Sequence, residues 1–211
     1  VEGALRDGGD APGLRLIETL RREGGVCARA ERHMARMAGG AAALGWPFPA
    51  ARVAAALAPG PQGGAERLRL TLARDGTVEV TATPFVPLAG PWRVGLAAER
   101  LASGDPWLGL KTTRRGAYDR ARAALDGLDE AVLLNERGEV CDGTITTLFF
   151  DRGAGMRTPP RASGLLPGVL REEMLAGGAC REEVLLAEDL GRVRLWVGNA
   201  LRGLIAAEWA G

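Results

Sequence analysis

The chain has 211 residues, a formal net charge of +1 and 46% hydrophobic residues. That length allows one large domain or two small ones, and the apolar content suffices for a sizeable core. No apolar run approaches the ~18 residues of a membrane span, and Val1 to Asp10 lacks the apolar stretch of a signal peptide. Arginines are spread throughout and form no nucleic-acid footprint. The expectation is a cytoplasmic globular protein with neither a membrane nor a nucleic-acid partner. Cys27, Cys141 and Cys180 are far apart and odd in number, so they read as reduced thiols. With His33 as the single histidine, neither a His-based metal cluster nor a catalytic triad is expected.

Taken in order, Val1 to Pro12 reads as a loose leader. Leu14 to Arg22 reads as a strand, Glu23-Gly24-Gly25 as a turn and Val26-Cys27 as a short strand. Ala30 to Leu44 is Ala-rich, with Met34, Met37, Ala38 and Ala41 at helical spacing. A second helix, Ala50 to Leu57, stops at Pro59-Gly60-Pro61. Glu66 to Ala73 and Thr77 to Thr83 alternate around Asp75-Gly76, the clearest hairpin in the chain. Pro84, Pro87 and Pro91 mark a linker, so the expected division is a small α+β domain over 1–84, a linker over 85–91 and a larger α+β domain over 92–211.

In that second half, strands are expected at Trp92 to Ala97, Ala131 to Leu134 and Glu139 to Cys141. The β-branched and aromatic run Thr144 to Asp151 reads as one strand, and two short ones follow at Val184-Leu185 and Val193 to Val197. Helices are expected at Tyr118 to Leu125 and, opened by Pro167-Gly168, at Val169 to Leu175.

Lys111 is the single lysine among 27 Lys+Arg residues, in Leu110-Lys111-Thr112-Thr113-Arg114-Arg115. A coding bias toward arginine explains replacement of solvated lysines, because a surface cation can be either type. It does not explain one that stayed. Guanidinium keeps its charge at any accessible pH, whereas a desolvated lysine sheds its proton and attacks a carbonyl. Lys111 is therefore a candidate Schiff-base or general-base residue, against the alternative of a surviving surface lysine.

Three further stretches stand in order around it: Glu31 to Met37 (ERHMARM), Asn135 to Phe149 (NERGEVCDGTITTLF) and Leu165 to Arg171 (LLPGVLR). Together with Lys111 they resemble the class IV aminotransferase family, which uses pyridoxal 5'-phosphate and includes branched-chain and D-amino-acid aminotransferases and aminodeoxychorismate lyase. The resemblance covers the chain from about Leu14 onward. It implies fold type IV of the pyridoxal phosphate enzymes, an α+β fold with a small N-terminal domain and a larger, barrel-like C-terminal one. It also implies a homodimer and a small amino-acid-like substrate.

On the same resemblance Lys111 forms the Schiff base with the cofactor and moves the substrate's α-proton. Arg36, last residue of the H-x-x-R pattern begun by His33, matches the phosphate-binding arginine. Gly168, Val169 and Leu170 offer backbone N–H groups to the phosphate at a helix start, and Asn199 falls at a further phosphate position. Asp142 stands where the family has a glutamate against the ring nitrogen, one methylene shorter. Leu170 stands where branched-chain enzymes have a threonine, which leaves only a backbone donor. Relatives carry a further strand pair and glycine-rich turn ahead of the segment matching Leu14 to Thr19. The expected activity is that of the lyase-like branch, 4-amino-4-deoxychorismate to 4-aminobenzoate and pyruvate. The alternatives are an aminotransferase and a non-catalytic relative that binds the cofactor or nothing.

Overall fold

The computed structural model describes residues 2–60 and 62–211, which divide into two compact units. The first holds residues up to Leu88 together with Leu110–Arg114, and the second holds Ala89–Gly109 and Arg115–Gly211. The expected assignment of Lys111 to the larger unit is therefore corrected. Its segment leaves the second unit to run beside a strand of the first, and backbone hydrogen bonds to that strand hold it there. The expected leader is also corrected in part, because Glu2–Gly8 forms a helix, α1. Pro61, part of the expected helix stop, lies outside the described residues.

The first unit is a four-stranded antiparallel sheet, β1 (Arg15–Glu23), β2 (Val26–Cys27), β3 (Glu66–Ala73) and β4 (Val78–Pro84), in the order β2-β1-β3-β4. Helices α2 (Ala30–Leu44) and α3 (Ala50–Ala56) lie between its halves in sequence. Register follows the alternation: Leu16 opposes Leu72, Glu18 opposes Leu70 and Leu20 opposes Leu68, and all six are buried. The β3–β4 turn uses Gly76 at φ 83° and an Asp75 carboxylate that accepts the Thr77 N–H at 2.9 Å. Helix α2 buries His33, Met37, Gly40, Ala41 and Leu44, one stripe at spacings of three and four. Gly40 lets it come close to β1, since a Cβ there would lie 2.8 Å from Leu16 Cδ2.

The second unit is built on an eight-stranded mixed sheet. Its strands are β5 (Trp92–Leu101), β6 (Glu130–Asn135), β7 (Val140–Gly143), β8 (Thr147–Asp151), β9 (Arg157–Thr158), β10 (Arg181–Glu182), β11 (Arg194–Asn199) and β12 (Gly203–Trp209). The order is β10-β9-β8-β11-β12-β5-β6-β7. The chain just past β10 bonds back to the opposite edge: Val140 N–H donates to Leu185 O at 2.8 Å, and Glu139 bridges Leu186. The sheet thus curls into the expected barrel-like form. Val184-Leu185 closes it without being a regular strand, and Arg181–Glu182 is the strand instead.

Both faces of the curled sheet are covered, which is why β6 and β8 are buried at every position. Val132, Leu134, Leu148, Phe150, Leu195 and Val197 fill the inside with Trp92 and Val94. Outside, α4 (Gly116–Ala123) covers Ala97, Leu101, Ala131, Leu133 and Cys141. On another flank α5 (Val169–Ala176) contributes Leu170, Met174 and Leu175, packed with Phe149, Cys180 and Trp196. All three cysteines are buried and free, and burial pushes the Cys141 thiol up to about 12. No described helix is long and apolar enough to cross a membrane.

Phe149 ties β8 to α5 with no exposed surface. Phe149→Ala is expected to cost about 3–5 kcal/mol, read as a drop in the denaturant midpoint at unchanged slope.

Candidate active site

Lys111 is positioned by backbone. Ile17 N–H donates to Lys111 O at 2.8 Å, Thr113 N–H donates to Arg15 O at 2.9 Å, and Leu16 faces Thr112 in an antiparallel bridge. Arg15 N–H also donates to Thr113 Oγ1 at 3.0 Å. Residues 111–113 thus extend the first unit's sheet along the edge of β1 not taken by β3. Thr112 points into the buried side at 3% exposure, so strand alternation turns the half-buried Lys111 to the side of Ile17.

On the other side of β1, Glu18 reaches α2. Its carboxylate is 1% exposed and accepts Arg36 Nε–H at 2.8 Å and Nη2–H at 2.5 Å, a side-on two-point pair. His33, also 1% exposed, brings Nδ1 within 2.6 Å of the same carboxylate. Nδ1 therefore carries a proton, because an ionised carboxylate only accepts. Burial alone would raise the Glu18 pKa, but Arg36 and then His33 more than offset it, and the net shift is downward.

The other candidate residues belong to the second unit. Asp142, 5% exposed on β7, accepts Leu166 N–H at 3.3 Å. Burial, and next the Asp142 charge, push the Tyr118 phenol far up, so it stays neutral. Its buried hydroxyl has no hydrogen-bond partner among the described residues. Gly168 is the N-cap of α5 and supplies no side-chain cap, and Val169, Leu170 and Arg171 behind it are buried. A Cβ on Gly168 would come 2.9 Å from Thr147 Oγ1. One on Gly198 would meet Gly203 O at 2.7 Å and Leu170 Cδ2 at 3.0 Å. The Leu170 side chain is core, packed with Phe149 and Cys180, which leaves only its backbone for any ligand. Asn199 turns its carboxamide inward: Nδ2–H donates to Ile145 O at 3.0 Å, and Oδ1 accepts the N–H groups of Leu201 at 3.1 Å and Arg202 at 2.9 Å.

Between Asp142 and Thr147 the expected single strand from Thr144 is corrected. Strand β8 begins only at Thr147, and residues 143–146 form a turn. A residue the sequence did not signal explains it. Glu130 has no exposed surface, and its carboxylate accepts Thr144 N–H at 2.9 Å, Ile145 N–H at 3.1 Å and Thr146 Oγ1–H at 2.8 Å, besides the Thr144 hydroxyl. Four turn donors satisfied by one side chain outweigh the β propensity of the run. Gly143 allows this closeness, since a Cβ there would lie 2.6 Å from Thr146 Oγ1. Arg115 donates to Thr144 O at 2.6 Å and lies 5.1 Å from the Tyr118 ring centre.

The structure thus gathers Lys111 and Arg36 in the first unit, and Asp142, Gly168, Val169, Leu170 and Asn199 in the second. No group of His, Cys, Asp and Glu suited to a metal ion occurs among the described residues.

The amino-transferase class IV family model matches residues 15–208. The chain belongs to this family. A Mesorhizobium loti crystal structure named for an amino-acid aminotransferase is 43% identical, with a TM-score of 0.88 over 93% of this chain and 100% of that one. A Schizosaccharomyces pombe relative named for aminodeoxychorismate lyase is 28% identical over 56% of this chain and 53% of its own length. A Synechocystis relative named for branched-chain-amino-acid aminotransferase is 32% identical over 36% of this chain and 22% of its own. The chain therefore spans about half or less of the curated relatives it matches.

Two outcomes are expected. Glu130→Ala strands the turn donors and should lower stability by about 3 kcal/mol, measured by chemical denaturation. The lowered Glu18 pKa makes its contribution to stability complete above the ordinary glutamate range and lost as pH falls through the lowered value. Glu18→Gln should therefore flatten the acid limb of a stability-against-pH curve.

Proposed function

We propose that the chain is a pyridoxal 5'-phosphate enzyme acting on a small amino-acid-like substrate, and that its activity is that of aminodeoxychorismate lyase. The observation that carries the reading is the placement of the single lysine. A general surface cation needs no backbone strapping, whereas Lys111 is held by hydrogen bonds from Ile17 and to Arg15 on either side of its position. The residues suit the cofactor in kind. The start of α5, which has no side-chain cap, offers N–H groups to an anion, Gly168 lets it lie close to Thr147, Asp142 is a buried carboxylate, and the Tyr118 hydroxyl is a buried donor without a partner among the described residues.

When bound, the cofactor supplies an aldehyde and a ring that takes up negative charge from the substrate α-carbon. Lys111 would supply the amine that holds the cofactor's aldehyde, and the same amine would carry the substrate's α-proton. Asp142 would hold a proton on the ring nitrogen, and Tyr118, kept neutral by burial, would offer its hydroxyl as a hydrogen-bond donor. Arg36 and the N–H groups of Val169 and Leu170 would hold the phosphate. Asn199 acts through the turn it tethers at Ile145. The family's pairing of two chains is carried over as part of this proposal, to be checked by light scattering.

Support for the lyase comes from the Lys-Thr-Thr-Arg and Leu-Leu-Pro-Gly motifs and the Schizosaccharomyces pombe match. A second reading, transfer of the amino group to a 2-oxo acid, is favoured by the Mesorhizobium loti likeness. Both begin with the same proton removal and part at what leaves next. The purified protein with cofactor should be yellow, and Lys111→Arg colourless with activity reduced by about 10³-fold or more. Release of 4-aminobenzoate from aminodeoxychorismate with no 2-oxo acid present supports the lyase. Its absence alongside amino transfer refutes it. A wild-type preparation that stays colourless refutes the whole proposal.

A further inference from the structure

We infer that Arg171 is a positioning residue of the phosphate site: from the first turn of α5 it fixes where the start of that helix lies. The inference rests on the backbone of Val169 and Leu170 holding the phosphate, as in the proposed function. Arg171 is long, charged and without exposed surface. Its Nη2 donates to Pro159 O at 2.8 Å and to the Glu182 carboxylate, and its Nη1 donates to Glu172 Oε1 at 2.6 Å. Side chains in a helix lean toward its N-terminus, and this one lies against the N-cap: a Cβ on Gly168 would be 3.8 Å from Arg171 Cβ. The anchors it reaches belong to the sheet. Pro159 directly follows β9, Glu182 ends β10, and between them Thr158 Oγ1–H donates to Leu148 O of β8 at 2.9 Å.

Helix α5 lies on its flank by apolar contact, with Leu170 and Met174, one turn apart, packed with Phe149 and Trp196. Such contact is non-directional: it resists separation of the helix from the sheet more than sliding along it. The far end is tied by backbone bonds. Ala179 N–H donates to Met174 O at 2.8 Å, and Arg181 N–H donates to Met156 O at 3.2 Å. At the start the corresponding ties come from Arg171, which joins the first helical turn to the same β9–β10 edge.

Stability alone does not call for an arginine here. Burying a guanidinium costs free energy, its Nε–H has no partner among the described residues, and the Glu172 and Glu182 side chains are 39% and 43% exposed, so solvent weakens both pairs. An apolar side chain of similar length would fill the space without that cost. What the guanidinium adds is direction, because three acceptors around one rigid plane admit one placement of the helix start. The ring end of the site is held separately. Leu166 N–H donates to Asp142 at 3.3 Å, and Ser163, on the same connection, accepts Asn135 Nδ2–H at 3.0 Å and donates its hydroxyl to Glu139 at 2.8 Å. Loss of Arg171 therefore moves the phosphate donors and leaves the Leu166–Asp142 bond in place.

The experiment compares affinity for pyridoxal 5'-phosphate with affinity for pyridoxal, which has the same ring and aldehyde without the phosphate. It is read by absorbance and tryptophan quenching on the full chain. Wild type should prefer the phosphorylated form. Arg171→Met, which keeps the stem, should lower that preference by about tenfold while pyridoxal affinity stays unchanged. A lost cation would act in the same direction through its field alone, and Glu182→Gln separates the two causes. Removing a negative charge raises the preference if the field is what matters, whereas loosening the clamp should lower it by about threefold. In an Arg171→Met background the Glu182 change should leave the preference where it is. A preference that fails to fall in either single variant would overturn the inference, as would a further fall in the double one. A purely structural role lowers both affinities alike and leaves their ratio intact, which is one such outcome.

If Arg171→Met does not fold, Arg171→Lys reads the same ratio. It keeps the charge, but one amine cannot hold Pro159, Glu172 and Glu182 in a single plane, so the preference should still fall. Full preference in Arg171→Lys would leave only the charge as the cause and sink the inference. Failure of wild type to bind either compound sinks the proposed function, and this inference with it. A wild-type preference that survives in Arg171→Met sinks the inference alone.

Discussion

The antiparallel bridge between Leu16 and Thr112, with its hydrogen bonds from Ile17 to Lys111 and from Thr113 to Arg15, is the constraint on which the first unit's chemistry depends. It converts a surface loop into a strand and so gives the lysine a defined side. Strand β1 does this on one edge while Glu18, one residue beyond Ile17, organises α2 from its buried face. The pleat sends these two tasks in opposite directions from adjacent residues. A shift of register by one residue would exchange Ile17 and Glu18, exposing the carboxylate to the lysine's side and stripping Arg36 of its partner.

The second unit solves a different problem, how to hold an irregular turn rigid inside a protein. Buried backbone outside helices and sheets must still pair its N–H and C=O groups. Around 143–147 this is done by three side chains, Glu130 from β6, Arg115 just ahead of α4 and Asn199 at the end of β11, while Arg122 within α4 donates to the Thr144 hydroxyl. The result is a turn whose two ends, Asp142 and Thr147, are set by the same network. Glycines at 143, 168 and 198 remove the side chains that would keep these segments apart.

Much of this was legible in the sequence because it depends on local pattern. The β1–β2 pair, α2, the β3–β4 hairpin and α5 rest on alternation, helical spacing and Gly/Pro punctuation, which are written in adjacent residues. The singularity of Lys111 and the motifs around it identified the family. What stayed hidden depends on partners distant in sequence. The run Thr144 to Asp151 is β-prone throughout, and nothing within it shows that Glu130 captures its first three residues. Strand β12 (Gly203–Trp209), whose exposed and half-buried positions alternate without a fully buried one, gains its place by pairing with β11 and β5. Asn199 was readable as a polar group near a phosphate; that its carboxamide ties a turn needed coordinates. The return of Leu110–Arg114 to the first unit had no local sign at all.

That return has a consequence for how the protein acquires its site. The hydrogen bond from Arg15 to Thr113 joins residues 98 apart within the first unit, so closing it requires the long intervening stretch of chain to be gathered in. Loop-closure entropy makes such a contact a late event on the path to the native state. A nascent chain would carry a formed hairpin and α2 well before its lysine had any orientation, which would be set only when folding was nearly finished. Three passages of the chain between units, at 88–89, 109–110 and 114–115, also mean that no single cut divides the chain into the two units.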